Sequence, residues 1–326
     1  MKPEQPYPES KHFRLEQLAD GVYAAIHIDG GTAISNAGIV DLGGRTLVYD
    51  AFMTPQAAVD LRAAAEAVTG RPVDLVIDSH WHYDHIWGNQ VFGADTEIIA
   101  TDETRRLIIA TRGHGAFDAF VANAEANLAA TRAQFQATQD EGERRQLKMW
   151  IDYHQGVVET KPVLQIRAPS LTFTGCLAFH GTARSAELID LAGGHTESDT
   201  VLFLPQEGIA FMSDLLFIGH HPYLGGGDPD SLVQAIETAA DLGPKLVVPG
   251  HGPVGTAESL TEMARYVRTM DGLARKMVEE GQAEEAIDAM AIPQPYGDWL
   301  FASFFPGNMH YLYQRWLGQL ADSAVE

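Results

Sequence analysis

Cysteine is almost missing from this chain: Cys176 is the single one among 326 residues. No disulfide can form within one chain and no multi-cysteine zinc site can be built, so a reducing compartment is expected. Positive charge is also scarce, with 22 lysines and arginines against 44 aspartates and glutamates and a net charge of -22. Such a surface repels phosphate backbones and leaves little counterion release to drive binding, which argues against a nucleic-acid partner. Long apolar runs are lacking too. No stretch has the uncharged length needed to span a bilayer, and the opening MKPEQPYPESKHF has no apolar core of signal-peptide size. A cytoplasmic protein, off the membrane and acting on a small molecule, is expected.

What is present is length enough to bury a real core, and the reading is one domain over residues 1–326. From Phe13 to Asp50 the chain reads as short strands, GVYAAIHI, AISNAGIVDL and RTLVYD, with Gly43 and Gly44 at a turn. TPQAAVDLRAAAEAVTG predicts a helix capped by Thr54, with Pro55 at its first position and Gly70 as its stop. The strand VDLVIDS, a histidine-rich loop, the strand TEIIAT and a helix from Asp102 then alternate as layered α/β proteins do.

Residues 102–160 read as a helical insertion, with Phe117, Phe120 and Phe135 expected in its packed side. After it come strand-like runs at VLQIRAP, LTFTGCLAF, AELIDLA, TVLFLP and GIAFMS, a helix from about Asp230 and the strand KLVVPG. A helix from Ala257 to Glu280 and a helical, aromatic tail over residues 281–326 close the chain. Cys176, inside LTFTGCLAF, is expected to be a small buried residue.

The chemistry gathers in SHWHYDHIWGN, Ser79 to Asn89, directly after the apolar VDLVI. His80, His82, Asp84 and His85 are too close together to share a helical face, but a loop leaving a buried strand can turn them toward one point. Metal coordination is the natural reason. Imidazole and carboxylate suit zinc and its first-row neighbours, and without a cation each unpaired buried group costs about 1–3 kcal/mol. Four candidates in one loop suggest two metals. Further ligands are offered by His195 in LAGGHTESD, Asp214 in GIAFMSDLLF and His251 in LVVPGHGPV, each after an apolar, strand-like run.

The order H-x-H-x-D-H, G-H-T, S-D at a strand end and P-G-H-G resembles the metallo-β-lactamase superfamily, from about Gly21 to Pro253. The resemblance implies an αβ/βα four-layer sandwich with metals at one edge. It places His80, His82 and His195 on a first ion, Asp84, His85 and His251 on a second, and Asp214 as a bridge. The best-known zinc β-lactamases carry cysteine or serine where Asp214 stands; the aspartate resembles glyoxalase II, acyl-lactonases and related hydrolases.

The implied activity is attack on an ester, thioester, lactone or amide carbonyl by a hydroxide shared between two divalent ions, zinc first, with manganese or iron as alternatives. Asp84 would be the catalytic residue, orienting the nucleophile and passing a proton to the leaving group. The same fold also serves iron-dependent oxidoreductases such as sulfur dioxygenases, and phosphodiesterases, here of a small molecule. A metal-binding sensor is the reading outside catalysis.

Around this set, Thr196, Ser198 and Asp199 could orient His195 or simply make a turn. His220, His221 and Tyr223 in FIGHHPYLGGGDPD could contact substrate, although the stretch is first a turn and helix-cap signal. The insertion and the aromatic tail could wall the site or form a homo-oligomer contact.

Overall fold

The computed structural model describes residues 7–110 and 115–323. The chain opens as an antiparallel meander of β1 (Phe13–Ala19), β2 (Val22–His27), β3 (Ala37–Asp41) and β4 (Thr46–Tyr49). Helix α1 (Pro55–Thr69) follows, with both ends as the sequence predicts. Thr54 Oγ1 accepts from the N–H of Ala57 at 3.2 Å, and Gly70 sits at φ +70° with its N–H on Glu66 O. Then come β5 (Val73–Ile77), the one-turn α2 (Tyr83–Ile86) and β6 (Glu97–Thr101).

The span 102–160 is helical: α3 (Asp102–Ala110), α4 (Gly115–Ala122), α5 (Ala124–Ala137) and α6 (Glu141–Thr160). β7 (Leu171–Phe173) completes the first sheet, in which β4 to β7 run parallel. The second sheet takes β8 (Cys176–His180), β9 (Ser185–Asp190), β10 (Thr200–Leu204), β11 (Ile209–Phe217) and β12 (Leu246–His251), in the order β12-β11-β10-β9-β8. Helix α7 (Pro229–Asp241) connects β11 to the parallel β12, and α8 (Ala257–Glu279) and α9 (Phe304–Ser323) follow.

Side-chain alternation makes these sheets the inner layers of a four-layer αβ/βα sandwich. Val22, Ala24 and Ile26 of β2 face Leu202 and Leu204 of β10 across the middle. Tyr23 and Ala25 point the other way, onto Leu61, Ala64 and Ala65 of α1. Val201 and Phe203 likewise point outward, onto Leu232 of α7, Met263 of α8 and Phe305 of α9. Where β3 crosses β11, a Cβ on Gly38 would lie 2.5 Å from the Phe211 ring, so glycine permits the approach of the two sheets. Among the described residues no helix is long and apolar enough to cross a membrane.

Three local expectations need correction. VLQIRAP forms no strand: it is irregular backbone whose Leu164 and Ile166 pack beneath the helical segment. The Arg167 guanidinium, by bonding Phe92 O, Gly93 O and Thr96 O, ties that stretch to the loop before β6. Cys176 is exposed, because β8 is the free edge of its sheet. Phe135 is half-buried with the Arg144 guanidinium 3.9 Å from its ring, whereas the side chain of Phe117 lies outside the described residues.

Candidate metal centre and its cleft

The strand ends of the two sheets meet where the histidine loop leaves β5. Ser79 is pinned there, its N–H on Asp50 Oδ1 at 2.9 Å and its carbonyl accepting from Thr200 N at 3.0 Å. The loop thereby points His80 inward and puts His82 at the N-terminus of α2, which carries Asp84 and His85. His195 comes from the turn before β10 and His251 from the last position of β12. Asp214 follows an irregularity of β11 at Ser213, whose φ of +47° re-aims the strand toward its edge.

Two groups of nitrogen and oxygen donors result. His80, His82, His195 and Asp214 offer atoms all within 4.8 Å of one another, and so do Asp84, His85 and His251. Asp214 faces both groups. Its Oδ2 lies 3.2 Å from His195 Nε2 and 3.8 Å from His80 Nε2, while its Oδ1 lies 3.2 Å from His85 Nε2 and 3.5 Å from His251 Nε2. Asp84 Oδ2 lies 3.3 Å from His251 Nε2 and 3.7 Å from His85 Nε2.

Burial opposes charge on His80, His82, Asp84, His85, Asp214 and His251, and their neighbours decide the outcome. Burial and the surrounding imidazoles hold His80 well below the usual histidine value and lower His82 to about 3. At His85 burial is overridden by the carboxylates of Asp214, Asp84 and Asp50, so its pKa is well raised. His251 is raised to about 9 against its burial, mainly by Asp214. The imidazoles in turn overcome burial at Asp214 and hold its carboxyl well below the usual range.

Behind the histidines lies a polar support that the sequence did not reveal. Asp50 Oδ2 accepts from His85 Nδ1 at 2.8 Å and from Ser213 Oγ at 2.8 Å. Ser79 Oγ lies 2.9 Å from His80 Nδ1 and 2.7 Å from Ser213 Oγ. Asp50 takes φ +61°, a region that costs a non-glycine residue about 1–3 kcal/mol and persists only where the surroundings demand it. Asn36 fastens the other sheet, donating through Nδ2 to Pro249 O and Gly252 O at 2.9 Å on either side of His251. The available signal was a polar residue ending an apolar strand, as Asp50 ends RTLVYD.

Residues 30–101 match the family model described as the metallo-beta-lactamase superfamily. This chain has the metallo-β-lactamase superfamily fold. It is similar to a metallo-beta-lactamase from Pontibacter korlensis, at 18% identity over 79% of this chain and 99% of that one, with a TM-score of 0.57. It is similar also to a metallo-beta-lactamase from Hirschia baltica, at 16% identity over 79% and 98% of the two chains and a TM-score of 0.55. FIM-1 from Pseudomonas aeruginosa, solved in its mono-zinc form, aligns at 14% identity over 80% and 97% with a TM-score of 0.55. At these identities the likeness is one of fold.

In this metallo-β-lactamase fold the two donor groups open into a cleft of about 480 Å³. Asp84, His82, His195, Asp214 and His251 lie at its floor, and aromatic rings make its wall. The rings close on themselves. From His82 the contacts run to Tyr223 (6.4 Å between centroids), Phe304 (5.7 Å), Trp150 (5.5 Å), Tyr153 (5.5 Å) and Phe120 (6.1 Å). They return through Tyr83 (5.9 Å) and Trp81 (6.3 Å) to His82 (4.7 Å). Phe301, at φ +58°, stands inside this collar with its ring 5.4 Å from that of His251.

The other expected residues fall in different places. Tyr223 lines the cleft at 42% exposure. His221 does not: it is fully buried, with Nδ1 2.8 Å from Tyr266 Oη, because the chain turns it into the core under α8. His220 borders a smaller pocket on the far side of His251. Asp199 accepts from the backbone N–H groups of His195 and Thr196 at 2.9 Å, so it shapes the turn, while Ser198 pairs with Thr101 Oγ1 at 2.6 Å.

Proposed function

We propose that this protein is a cytoplasmic metal-dependent hydrolase holding two divalent ions, zinc in the first place, and cleaving a carbonyl-type bond of a small molecule. The observation that carries the reading is Asp214, whose two carboxylate oxygens face the two donor groups separately. His80, His82 and His195 would hold one ion, Asp84, His85 and His251 the other, and Asp214 would bridge them. The donors fit such ions. Among the described residues His80 Nε2, His85 Nε2 and Asp214 Oδ1 are buried without a hydrogen-bond partner, and nitrogen with carboxylate oxygen is a donor set zinc accepts. A structural neighbour solved in its mono-zinc form is consistent with that metal.

Bound there, the ions would supply a water-derived nucleophile at neutral pH and positive charge for the developing oxyanion. The chain's own residues do the rest. With Nδ1–H of His85 donated to Asp50, the ring is held with Nε2 toward Asp214 and Asp84, and on losing its Nε2 proton it would ligate an ion there without reorienting. Asp84 is more open than Asp214, with side-chain exposures of 14% and 5%. On the cleft floor it can take a proton from the attacking group and return it to the leaving group of an ester, thioester, lactone or amide. The apolar wall keeps bulk water away from that transfer. The bridging carboxylate favours the glyoxalase II and lactonase type of site.

The test is elemental analysis of protein purified without chelator, paired with hydrolysis of lactone, ester, thioester and β-lactam panels before and after metal stripping. Two zinc or manganese ions per chain and hydrolysis that returns on remetallation are expected. A single iron with oxygen uptake would replace the reading with oxidative sulfur chemistry.

A further inference from the structure

Among the described residues, the aromatic collar above the metal centre offers tyrosine hydroxyls but no cationic anchor. Among the described residues lining the cleft there is no lysine or arginine. Both indole N–H groups are already spent, Trp81 Nε1 on Glu197 Oε2 and Trp150 Nε1 on Ser303 Oγ, each at 3.0 Å. Burial lowers the pKa of His154, the wall histidine outside the two donor groups, so it is neutral at pH 7. Charge in the cleft is confined to its floor, at Asp84, Asp214 and His251, whose pKa is raised to about 9, and where the ions would bind; the collar above them offers an anion no counter-charge.

The wall is also fixed in place. Gln146 of α6 donates to Trp299 O at 2.8 Å and accepts from Ala302 N at 3.2 Å, so α6 and the segment bearing Phe301 and Phe304 move as one. Phe301 and Phe304 stack at 5.2 Å, and Trp150 meets each edge-on at 5.6 and 5.5 Å. Those rings present faces and edges to the cleft instead of hydrogen bonds.

We infer that the collar selects substrates whose scissile carbonyl bears an uncharged aromatic or alkyl arm, and that it excludes arms carrying an anionic group. This rests on the hydrolase reading above and narrows its substrate class. An apolar arm gains contact with the rings in a space that suits a small ligand. An anionic arm loses its hydration there without gaining a counter-charge. Each methylene buried in a pocket is worth about 10–200-fold in selectivity, so a whole ring gives a large margin over the methyl case.

Two measurements separate this inference from the reading beneath it. The first is calorimetric binding of 4-phenylbutan-1-ol, butan-1-ol and 4-(4-carboxyphenyl)butan-1-ol, which have no scissile carbonyl, to the metal-loaded protein. The phenyl alcohol is expected to bind at least tenfold more tightly than either other probe. Phe304→Ala, or Trp150→Leu if the first variant folds poorly, should abolish that preference with metal content unchanged. The second is kcat/KM for ethyl 4-phenylbutyrate against ethyl acetate, with a preference of about 100-fold expected. Equal binding of the three alcohols, or a preference that survives both variants, would overturn the collar's role. Preferential binding with neither ester hydrolysed would leave the collar standing and count against ester hydrolysis. Hydrolysis of both esters at similar rates would keep the hydrolase and reject the selectivity.

Discussion

A Cβ on Gly250 would lie 1.9 Å from Asp214 Oδ1. The backbone at the end of β12 is thus pressed against the carboxylate that sits between the two donor groups, and only a residue without a side chain leaves that carboxylate its place. The glycine of P-G-H-G is a spacing device for a residue more than thirty positions earlier in the chain.

Gly250→Ala should therefore displace Asp214 or the neighbouring His251. Metal affinity is expected to fall by about 10–100-fold, the range seen when the residues orienting metal ligands are disturbed. Competition against a chromophoric chelator measures it. An unchanged affinity would mean that the turn yields and the carboxylate stays.

Asp50→Asn isolates a charge from a conformation. Asparagine has nearly the shape of aspartate and tolerates the left-handed backbone that this position adopts, so the fold should persist. The amide is a poorer acceptor for His85 Nδ1–H and Ser213 Oγ–H, and a loss of about 10–100-fold in metal affinity or kcat is expected. Metal titration alongside circular dichroism checks this; wild-type values in both would remove Asp50 from the site's support.

Asp84→Ala should lower kcat by about 10²–10⁴-fold, the usual contribution of a positioned general acid–base, while weakening one metal position. The local fold should hold, because the contact anchoring this residue runs from Ser35 Oγ to its backbone carbonyl. Turnover and thermal melting together decide it. Wild-type kcat in the variant would end the proton-transfer role.

Much of this site was legible because its donors stand next to one another in SHWHYDHIWGN or behind apolar runs that announce strands. Asp214 could be singled out for that reason, and α1 because Thr54, Pro55 and Gly70 write its ends locally. Asp50, Ser213 and Asn36 could not be read, since their value lies in partners brought near by the packing of two sheets. VLQIRAP shows the reverse failure: a strand-like pattern that found no neighbouring strand and spent its arginine on loop carbonyls instead. The collar was invisible as a closed circuit, because Trp150 and Phe304 lie 154 residues apart and meet only where α6 packs on the chain after α8.

Acid should destabilise the metal-stripped protein below neutrality. Burial lowers His27 to about 3 and His220 and His221 to about 4. Below the unfolded value of about 6.5 the unfolded chain gains protons that the folded chain refuses, so stability falls as pH drops from there toward 4. Each such histidine contributes up to about 1.4 kcal/mol per pH unit. Urea midpoints at pH 6.5, 5.5 and 4.5 in chelator should fall steeply, and His27→Gln should shallow the slope. A flat wild-type profile would contradict neutral burial of these rings.

The candidate metal donors sit on strand ends and the segments beside them, whereas half of the collar, Phe120, Trp150, Tyr153 and Phe304, hangs from the helical span 102–160 and from the chain after α8. That half of the collar is encoded apart from the donors, while Trp81 and Tyr83 alternate with them in the histidine loop. A lineage could trade one substrate arm for another by exchanging rings at Phe120, Trp150 or Phe304 while every donor stays as it is. His82 belongs to both sets, and there such drift would meet resistance.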